Sequence, residues 1–284
     1  MEKIAPNICQ LEKSVFVIVG PEGTTNFGIV RGDDGCALVI DSDIRRIDEI
    51  EAALSMTGCS KVSYLFNTHE NFDHSSANHY FEKKGATVIA SEGCWKALMK
   101  DGEAKFAEMG GPVPELWQRF PDLKMGLPHV TFSDTASVYL QGITSRLRYS
   151  AFQGQGHSKG DAVVFFEKEG ILFAGDLLYV DFHPVTIYGH ISNWLQSIDR
   201  LRGEDFKSVV PGHGPVVEGQ AAGKQAFAKF RSYLEDFHEQ LLTAASGRQS
   251  AEEVRAHMMS GAYARLGKTW MVQRNIEYFL KEAR

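Results

Sequence analysis

Histidine and carboxylate fall at four separate places in this chain, each beside an apolar run of strand character. The densest is "NTHENFDHSS" at 67–76, which follows "VSYLF" and sets His69, Asp73 and His74 close together with Asn71 between them. "GQGHSKGD" puts His157 after the strand-like "RLRYSAF", "ILFAGDLLY" puts Asp176 at the end of an apolar run, and "VVPGHGP" puts His213 between Pro-Gly and Gly-Pro. A polar residue that ends a buried strand and precedes glycine or a loop sits where a sheet edge presents side chains to a shared cleft. A single histidine in such a place is more often a solvated loop residue, and a single aspartate more often a cap or turn former. Four places with one grammar and one chemistry reverse that balance. They ask for a fold whose strand ends converge, and imidazole with carboxylate suits zinc, iron or manganese.

The intervening sequence supplies such a fold. "SVFVIVG", "TNFGIVRGDDGCALVIDS" and "VSYLFNTH" read as strands, with "GDDG" as a hairpin turn. "IRRIDEIEAALSMTG" has helical spacing and stops at glycine, and "NHYFEKKG" reads as a short helix before the strand "ATVIAS". Residues 92–128 read as an excursion with two short helices close to the cleft. Strands then resume with "HVTFSD", "ASVYLQG", "SRLRYSAF", "DAVVFFEKEGILFAGD" and "FKSVVPGHG", interrupted by the amphipathic helix "ISNWLQSIDRLRG". From 221 the pattern is helical to the end, and Ser250 with Glu253 has the form of a capping box. The expected organisation is one α/β domain over 1–220 and a C-terminal helical extension over 221–284.

His69-x-Asn71-x-Asp73-His74, then His157 in "GHSKGD", Asp176 in "AGD" and His213 in "PGHG", resembles the metallo-β-lactamase superfamily from about residue 11 to 217. "GIVRGDDGCALVIDS" is similar to that family's N-terminal strands, with Asp41 behind the metal loop. The resemblance implies a four-layer αββα sandwich, α+β in class, with two adjacent divalent metal positions at one edge. Zinc is the expected metal, with iron or manganese as alternatives. Carried over, the first position is bound by His69, the residue at 71 and His157, the second by Asp73, His74 and His213, and Asp176 bridges them. Water between the ions would be the nucleophile, and Asp73 the catalytic group that orients it and passes a proton to the leaving group. The implied activity is hydrolysis of a small ester, thioester, lactone or lactam.

Asn71 departs from the commonest pattern, HxHxDH. An amide oxygen binds a transition metal more weakly than imidazole. Three outcomes follow: a dinuclear site with Asn71 as weak ligand or hydrogen-bond partner, a single metal at the second position, or a single metal held by His69, His157 and Asp176. The last set is the two-histidine, one-carboxylate arrangement of non-haem iron oxygenases, and the persulfide dioxygenases of this superfamily are similar. Flavodiiron proteins carry glutamate at this place, together with a flavodoxin domain that nothing after 221 resembles. A binding protein without catalysis on the same fold is the remaining alternative.

"YVDFHPVTIYGH" follows Asp176 closely, which makes His183, Tyr188 and His190 candidates for substrate contact. Trp95, Phe106, Trp117 and Phe120 are candidates for an aromatic wall over the cleft, against the ordinary alternative of core. Trp270, Tyr278 and Phe279 either dock the tail or form a homo-oligomer interface. His79 reads as a surface residue, and His129, His238 and His257 have no partner pattern. A net charge of −6 supplies no basic stripe for nucleic acid. No apolar run is long enough to span a membrane, and the N-terminus lacks a signal-peptide core, so a cytoplasmic protein acting on a small molecule is expected. Cys9, Cys36, Cys59 and Cys94 form no CxxC pair and read as reduced thiols.

Overall fold

Strands of the first half pair in chain order into one sheet: β1 (Glu2–Ala5), β2 (Ile8–Glu12), β3 (Val15–Ile18), β4 (Phe27–Arg31), β5 (Cys36–Ile40), β6 (Lys61–Asn67), β7 (Thr87–Ser91) and β8 (Val130–Phe132). The second half forms another: β9 (Thr135–Leu140), β10 (Ile143–Tyr149), β11 (Ala162–Phe166), β12 (Ile171–Tyr179), β13 (Ser208–His213) and β14 (Val217–Glu218), again neighbours in chain order. This computed structural model describes residues 1–110, 114–149 and 156–283. The last three residues of the expected strand over 145–152 lie outside the described residues.

Antiparallel hairpins join β1 through β5, with the expected turn at "GDDG", whereas β5 to β8 run parallel, as do β12 and β13. Parallel neighbours need a crossover. Helices α1 (Ile47–Met56), α2 (Phe72–Ser75), α3 (Asn78–Lys83), α4 (Glu92–Ala97), α5 (Glu103–Gly110) and α6 (Pro114–Arg119) serve the first sheet, and α7 (Ile191–Arg202) links β12 to β13. The tail folds as α8 (Gln220–Ala245), α9 (Ala251–Met258) and α10 (Trp270–Glu282).

Side chains two apart on a strand share a face, and that alternation sets the layers. On β5, Ala37 and Val39 pack with Ile47, Ile50 and Ala53 of α1, while Leu38 and Ile40 face the second sheet. On β11, Ala162, Val164 and Phe166 meet them, and Val163 and Phe165 turn outward to Trp194 and Ile198 of α7 and Phe227 and Leu234 of α8. Three apolar interfaces therefore separate four layers, helix, sheet, sheet and helix, the αββα sandwich. Phe227, Phe230, Leu234, Phe237 and Leu241 recur at helical spacing along α8 and lie buried on the outer face of the second sheet.

Ser250 opens α9 with the expected capping box: its Oγ accepts from Glu253 N at 3.2 Å and Glu253 Oε2 accepts from Ser250 N at 2.7 Å. Phe279 packs against the outer cluster, whereas Trp270 is 58% and Tyr278 43% exposed. In the excursion, a π-turn over Leu98–Gly102 joins α4 to α5, so the first of the two expected short helices is an extended helical run. Its aromatics pack inward: Phe106 meets Phe72 of α2 at 5.3 Å and Trp117 at 5.8 Å, and Phe120 meets Tyr80 at 5.8 Å. Phe72 precedes Asp73, so these contacts clasp the excursion to the helix that carries two of the candidate ligands. Among the described residues, no helix is long and apolar enough to cross a membrane.

Candidate metal centre

Parallel strands in both sheets point their C-terminal ends at the same edge, and the candidate ligands gather there. Asp41 follows β5, His69 follows β6, and Asp73 and His74 ride on α2. His213 ends β13, and His157 lies in the turn before β11. Asp176 sits inside β12, where the ladder to β13 shifts register between Gly175 and Tyr179. Close approach there requires glycine. A Cβ on Gly212 would lie 1.9 Å from Asp176 Oδ1.

Two groups result, His69 with His157 and Asp176, and Asp73 with His74 and His213, each with its ligand atoms within 4.8 Å of one another. Asp176 reaches into both. Its Oδ2 is 3.3 Å from His157 Nε2, 3.3 Å from His213 Nε2 and 3.8 Å from His69 Nε2, and its Oδ1 is 3.2 Å from His74 Nε2. Asp73 Oδ2 lies 3.6 Å from both His74 Nε2 and His213 Nε2.

Each imidazole is held from behind by its other nitrogen. His74 Nδ1 lies 2.8 Å from Asp41 Oδ2, His157 Nδ1 3.1 Å from the Val185 carbonyl, and His213 Nδ1 2.8 Å from the Gly23 carbonyl. Thr68 Oγ1 donates to Asp41 Oδ2 at 2.7 Å, so its lone pair accepts from His69 Nδ1 at 3.0 Å. With every Nδ1 held from behind, all four Nε2 atoms are turned inward, the arrangement that orients metal-binding histidines. His69 Nε2, His74 Nε2 and Asp176 Oδ1 are buried without a hydrogen-bond partner. Ligands 2.0–2.1 Å from a tetrahedral ion stand about 3.4 Å apart, close to the separations given above. The donor set, its spacing and its bare buried atoms fit divalent metal ions.

Charge points the same way. Burial would raise Asp176 and Asp73, but the facing imidazoles, His213 and His74 foremost, outweigh it and hold both carboxyls below their ordinary range. His74 is pushed well above its ordinary value by Asp176, Asp41 and Asp73, against the cost of its own burial. His69 and His157 are lowered chiefly by burial, His157 to about 4. Negative charge concentrated in a dry centre is what a cation offsets.

Asn71 is buried beside the first group, its Nδ2 2.9 Å from His157 Nε2. It occupies the N-cap position of α2 but makes no side-chain cap. The loop that carries His157 is fixed by Asp161, which accepts from Gly156 N at 3.1 Å, Ser158 N at 3.0 Å and Ser158 Oγ at 2.8 Å. Glu70 Oε1 adds a contact by accepting from Lys159 N at 3.1 Å.

Several supporting residues carry no signal in the sequence. Thr25 Oγ1 donates to Asp73 Oδ2 at 2.6 Å. Tyr179, which reads as one more apolar strand residue, donates from its hydroxyl to Asp176 Oδ2 at 2.5 Å and stacks on His213. Asn26 Nδ2 donates to the carbonyls of Pro211 and Gly214, each at 2.8 Å, and its Oδ1 accepts from Gly20 N at 2.8 Å. Asn26→Ala strips three buried groups of their partners and is expected to destabilise the fold by about 2–4 kcal/mol. Denaturant unfolding checks this, and a loss below about 1 kcal/mol, the worth of one ordinary hydrogen bond, would contradict it.

The three candidate substrate contacts separate. His183 is buried, with Nδ1 2.8 Å from the Tyr233 hydroxyl of α8, and burial lowers it to about 4. His190 is the exposed N-cap residue of α7. Tyr188 is half-buried, which raises its hydroxyl above the ordinary value, and Lys105 Nζ lies 4.9 Å over its ring.

Comparison with known proteins agrees with this architecture. In curated sequences, the chain is 28% identical over 131 residues to an atrochrysone carboxyl ACP thioesterase of Cryptosporiopsis sp. (strain 8999), covering 43% of this chain and 38% of that protein. It is 28% identical over 162 residues to a type 2 metallo-beta-lactamase of Bacteroides fragilis, covering 55% of this chain and 54% of that one. The chain thus spans about half or less of the length of these curated relatives. A metallo-beta-lactamase family protein from Thermus thermophilus superposes with a TM-score of 0.66 at 22% identity, over 96% of this chain and 95% of that chain. A sec-alkylsulfatase from Pseudomonas sp. gives 0.69 at 14% identity, over 97% of this chain and 50% of that chain. Both structural likenesses speak to the fold alone. The family model described as the metallo-beta-lactamase superfamily matches residues 20–213. That match runs through Asp41 to His213 and takes in all six converging candidate ligands, and the chain belongs to the metallo-β-lactamase superfamily.

Proposed function

We propose that this chain is a metal-dependent hydrolase that cleaves a small ester, thioester, lactone or lactam, with two divalent ions, zinc foremost. The observation that carries this reading is the convergence of four imidazole Nε2 atoms and two carboxylates in two groups that Asp176 joins. Proteins of the superfamily bind divalent metals. When bound, such ions acidify water and polarise the oxygen of the scissile group.

The chain's own groups supply the rest. His69, His157 and Asp176 would hold one ion and Asp73, His74 and His213 the other, each imidazole locked by the hydrogen bond at its Nδ1. Thr25 fixes one oxygen of Asp73, the most exposed of the six ligands. Asp73 accepts a proton from the attacking water and returns it to the departing oxygen, sulfur or nitrogen. Tyr179 keeps Asp176 Oδ2 in place. The names of the relatives, a thioesterase and a β-lactamase, support thioester and lactam bonds as the first to try.

A second reading rests on Asn71. If the first group alone is filled, His69, His157 and Asp176 form the facial triad of a mononuclear iron oxygenase acting on a small thiol derivative. The complete second group favours the hydrolase.

The test is elemental analysis of protein purified without chelator, followed by a screen of ester, thioester, lactone and lactam substrates before and after chelation. The expected result is about two ions per chain and a hydrolysis lost on chelation and restored by metal. Hydrolysis that survives complete metal removal would sink the proposal. One iron per chain with oxygen uptake on persulfides would replace it with the oxygenase.

A further inference from the structure

Lys268, just ahead of α10, reaches His213 of the candidate metal centre from the C-terminal tail. Its Nζ lies 3.4 Å from His213 Nδ1, but that nitrogen already donates to the Gly23 carbonyl at 2.8 Å and has no lone pair to offer. Among the described residues, no carboxylate stands within ion-pair distance of the Lys268 ammonium, although it is half-buried and feels the charges of both Asp73 and Asp176. A cation in such surroundings without an acceptor is costly unless something else supplies one.

The backbone shows that this placement is built. Lys268 has φ +56, a left-handed conformation in which glycine would be relaxed and lysine is not. The segment is held there by Gly267 N donating to the Asp181 carbonyl at 2.9 Å and His183 N donating to the Gly267 carbonyl at 3.0 Å. Asn275 extends the clamp: its Nδ2 donates to the Pro184 carbonyl at 2.8 Å and its Oδ1 accepts from Thr186 N at 3.0 Å. These contacts tie the tail to the loop after β12, and so to the strand that carries Asp176.

Two neighbouring cations are engaged elsewhere: Arg45 is locked to Asp43, and Lys105 lies over the Tyr188 ring.

We propose that Lys268 binds an anionic substituent of the substrate, a carboxylate, sulfate or phosphate group carried beside the bond that is cut. This deepens the hydrolase reading and rests on it for the word substrate; the anion site itself does not. The alternative is that Lys268 only balances Asp73 and Asp176, and then its removal would affect charged and neutral substrates alike.

The experiment uses metal-replete protein and the variants Lys268→Met and Lys268→Arg. The first readout is the ratio of kcat/KM for 4-nitrophenyl hemisuccinate to that for 4-nitrophenyl acetate. Lys268→Met is expected to lower this ratio about tenfold or more, mainly through KM for the charged ester, while Lys268→Arg keeps most of it. An unchanged ratio in Lys268→Met overturns the proposal. The second readout is the rise in Tm on adding sulfate, phosphate or acetate, each against chloride at equal ionic strength. A rise that shrinks in Lys268→Met supports the site, and the anion with the largest difference identifies the substituent. Equal rises in wild type and Lys268→Met overturn it. If neither ester is hydrolysed, the hydrolase reading loses its support, and the Tm comparison still decides the anion site.

Discussion

Asp176→Ala is expected to abolish tight metal binding in both groups and to reduce hydrolysis by about three orders of magnitude, or roughly 4 kcal/mol of transition-state stabilisation. Among the described residues, Asp176 is the carboxylate whose oxygens approach imidazole nitrogens of both groups. Its Oδ2 stands 3.3 Å from His157 Nε2 in one group and 3.3 Å from His213 Nε2 in the other, and its Oδ1 reaches His74 Nε2 at 3.2 Å. The same carboxylate holds His74 well above its ordinary pKa and accepts the Tyr179 hydroxyl. Its removal leaves a buried imidazolium short of charge and a buried phenol without an acceptor. For metal-free protein this implies a further loss of about 3–5 kcal/mol in folding stability, the range for breaking one side of a buried ion pair. Asp176→Asn separates the two effects, since the amide keeps an oxygen for Tyr179 but not the charge. Elemental analysis and denaturant unfolding of both variants are the measurements. Full metal content in Asp176→Ala would mean that the two groups do not share this residue.

How much of this could be read from residues alone follows from where the ligands sit on the chain. His69, Asp73 and His74 fall within one short stretch, and His157, Asp176 and His213 each lie by an apolar run and a glycine, so local pattern is enough to find them. The layers were legible only through the family resemblance, because "CALVI" and "AVVFF" are apolar at every position and do not themselves say which side chains meet a helix and which meet the other sheet. The supporting shell was not legible. Asn26 is linked to Pro211 and Gly214 across more than 180 residues, and Thr25 meets Asp73 across 48. Nothing local distinguishes these residues from ordinary loop formers. Tyr179 hides in an apolar strand because its ring is core and only its hydroxyl is functional. Lys268 lies in the tail, outside the family pattern, and becomes visible only when the clamp at Gly267 and Asn275 brings it to His213. His183 looks equally well placed in sequence, but the same clamp turns it toward Tyr233 of α8.

Asn71→His is expected to tighten metal binding in the first group by about 10–100-fold while leaving the second group nearly as it was. The two groups are unequal in wild type. In the second, Thr25 bonds one oxygen of Asp73, but among the described residues no side-chain amide or hydroxyl occupies His74 Nε2 or His213 Nε2. In the first, the Asn71 amide lies 2.9 Å from His157 Nε2, and because His157 Nδ1 already donates to Val185, that Nε2 can only accept. The amide N–H therefore occupies the very lone pair that an ion requires, and filling the first group means breaking that hydrogen bond or turning the amide to present its oxygen. An imidazole at 71 removes the competition and adds a stronger ligand. The backbone permits the change: residue 71 has φ −66 and ψ 150, ordinary extended geometry, and its side chain makes no cap that would be lost. The measurement is competition against a chromophoric chelator, which resolves two binding steps per chain. Wild type should show a strong and a weak step, and Asn71→His two steps of similar strength. Identical steps in both proteins would place Asn71 outside the coordination of either ion and remove the structural basis for a mononuclear reading.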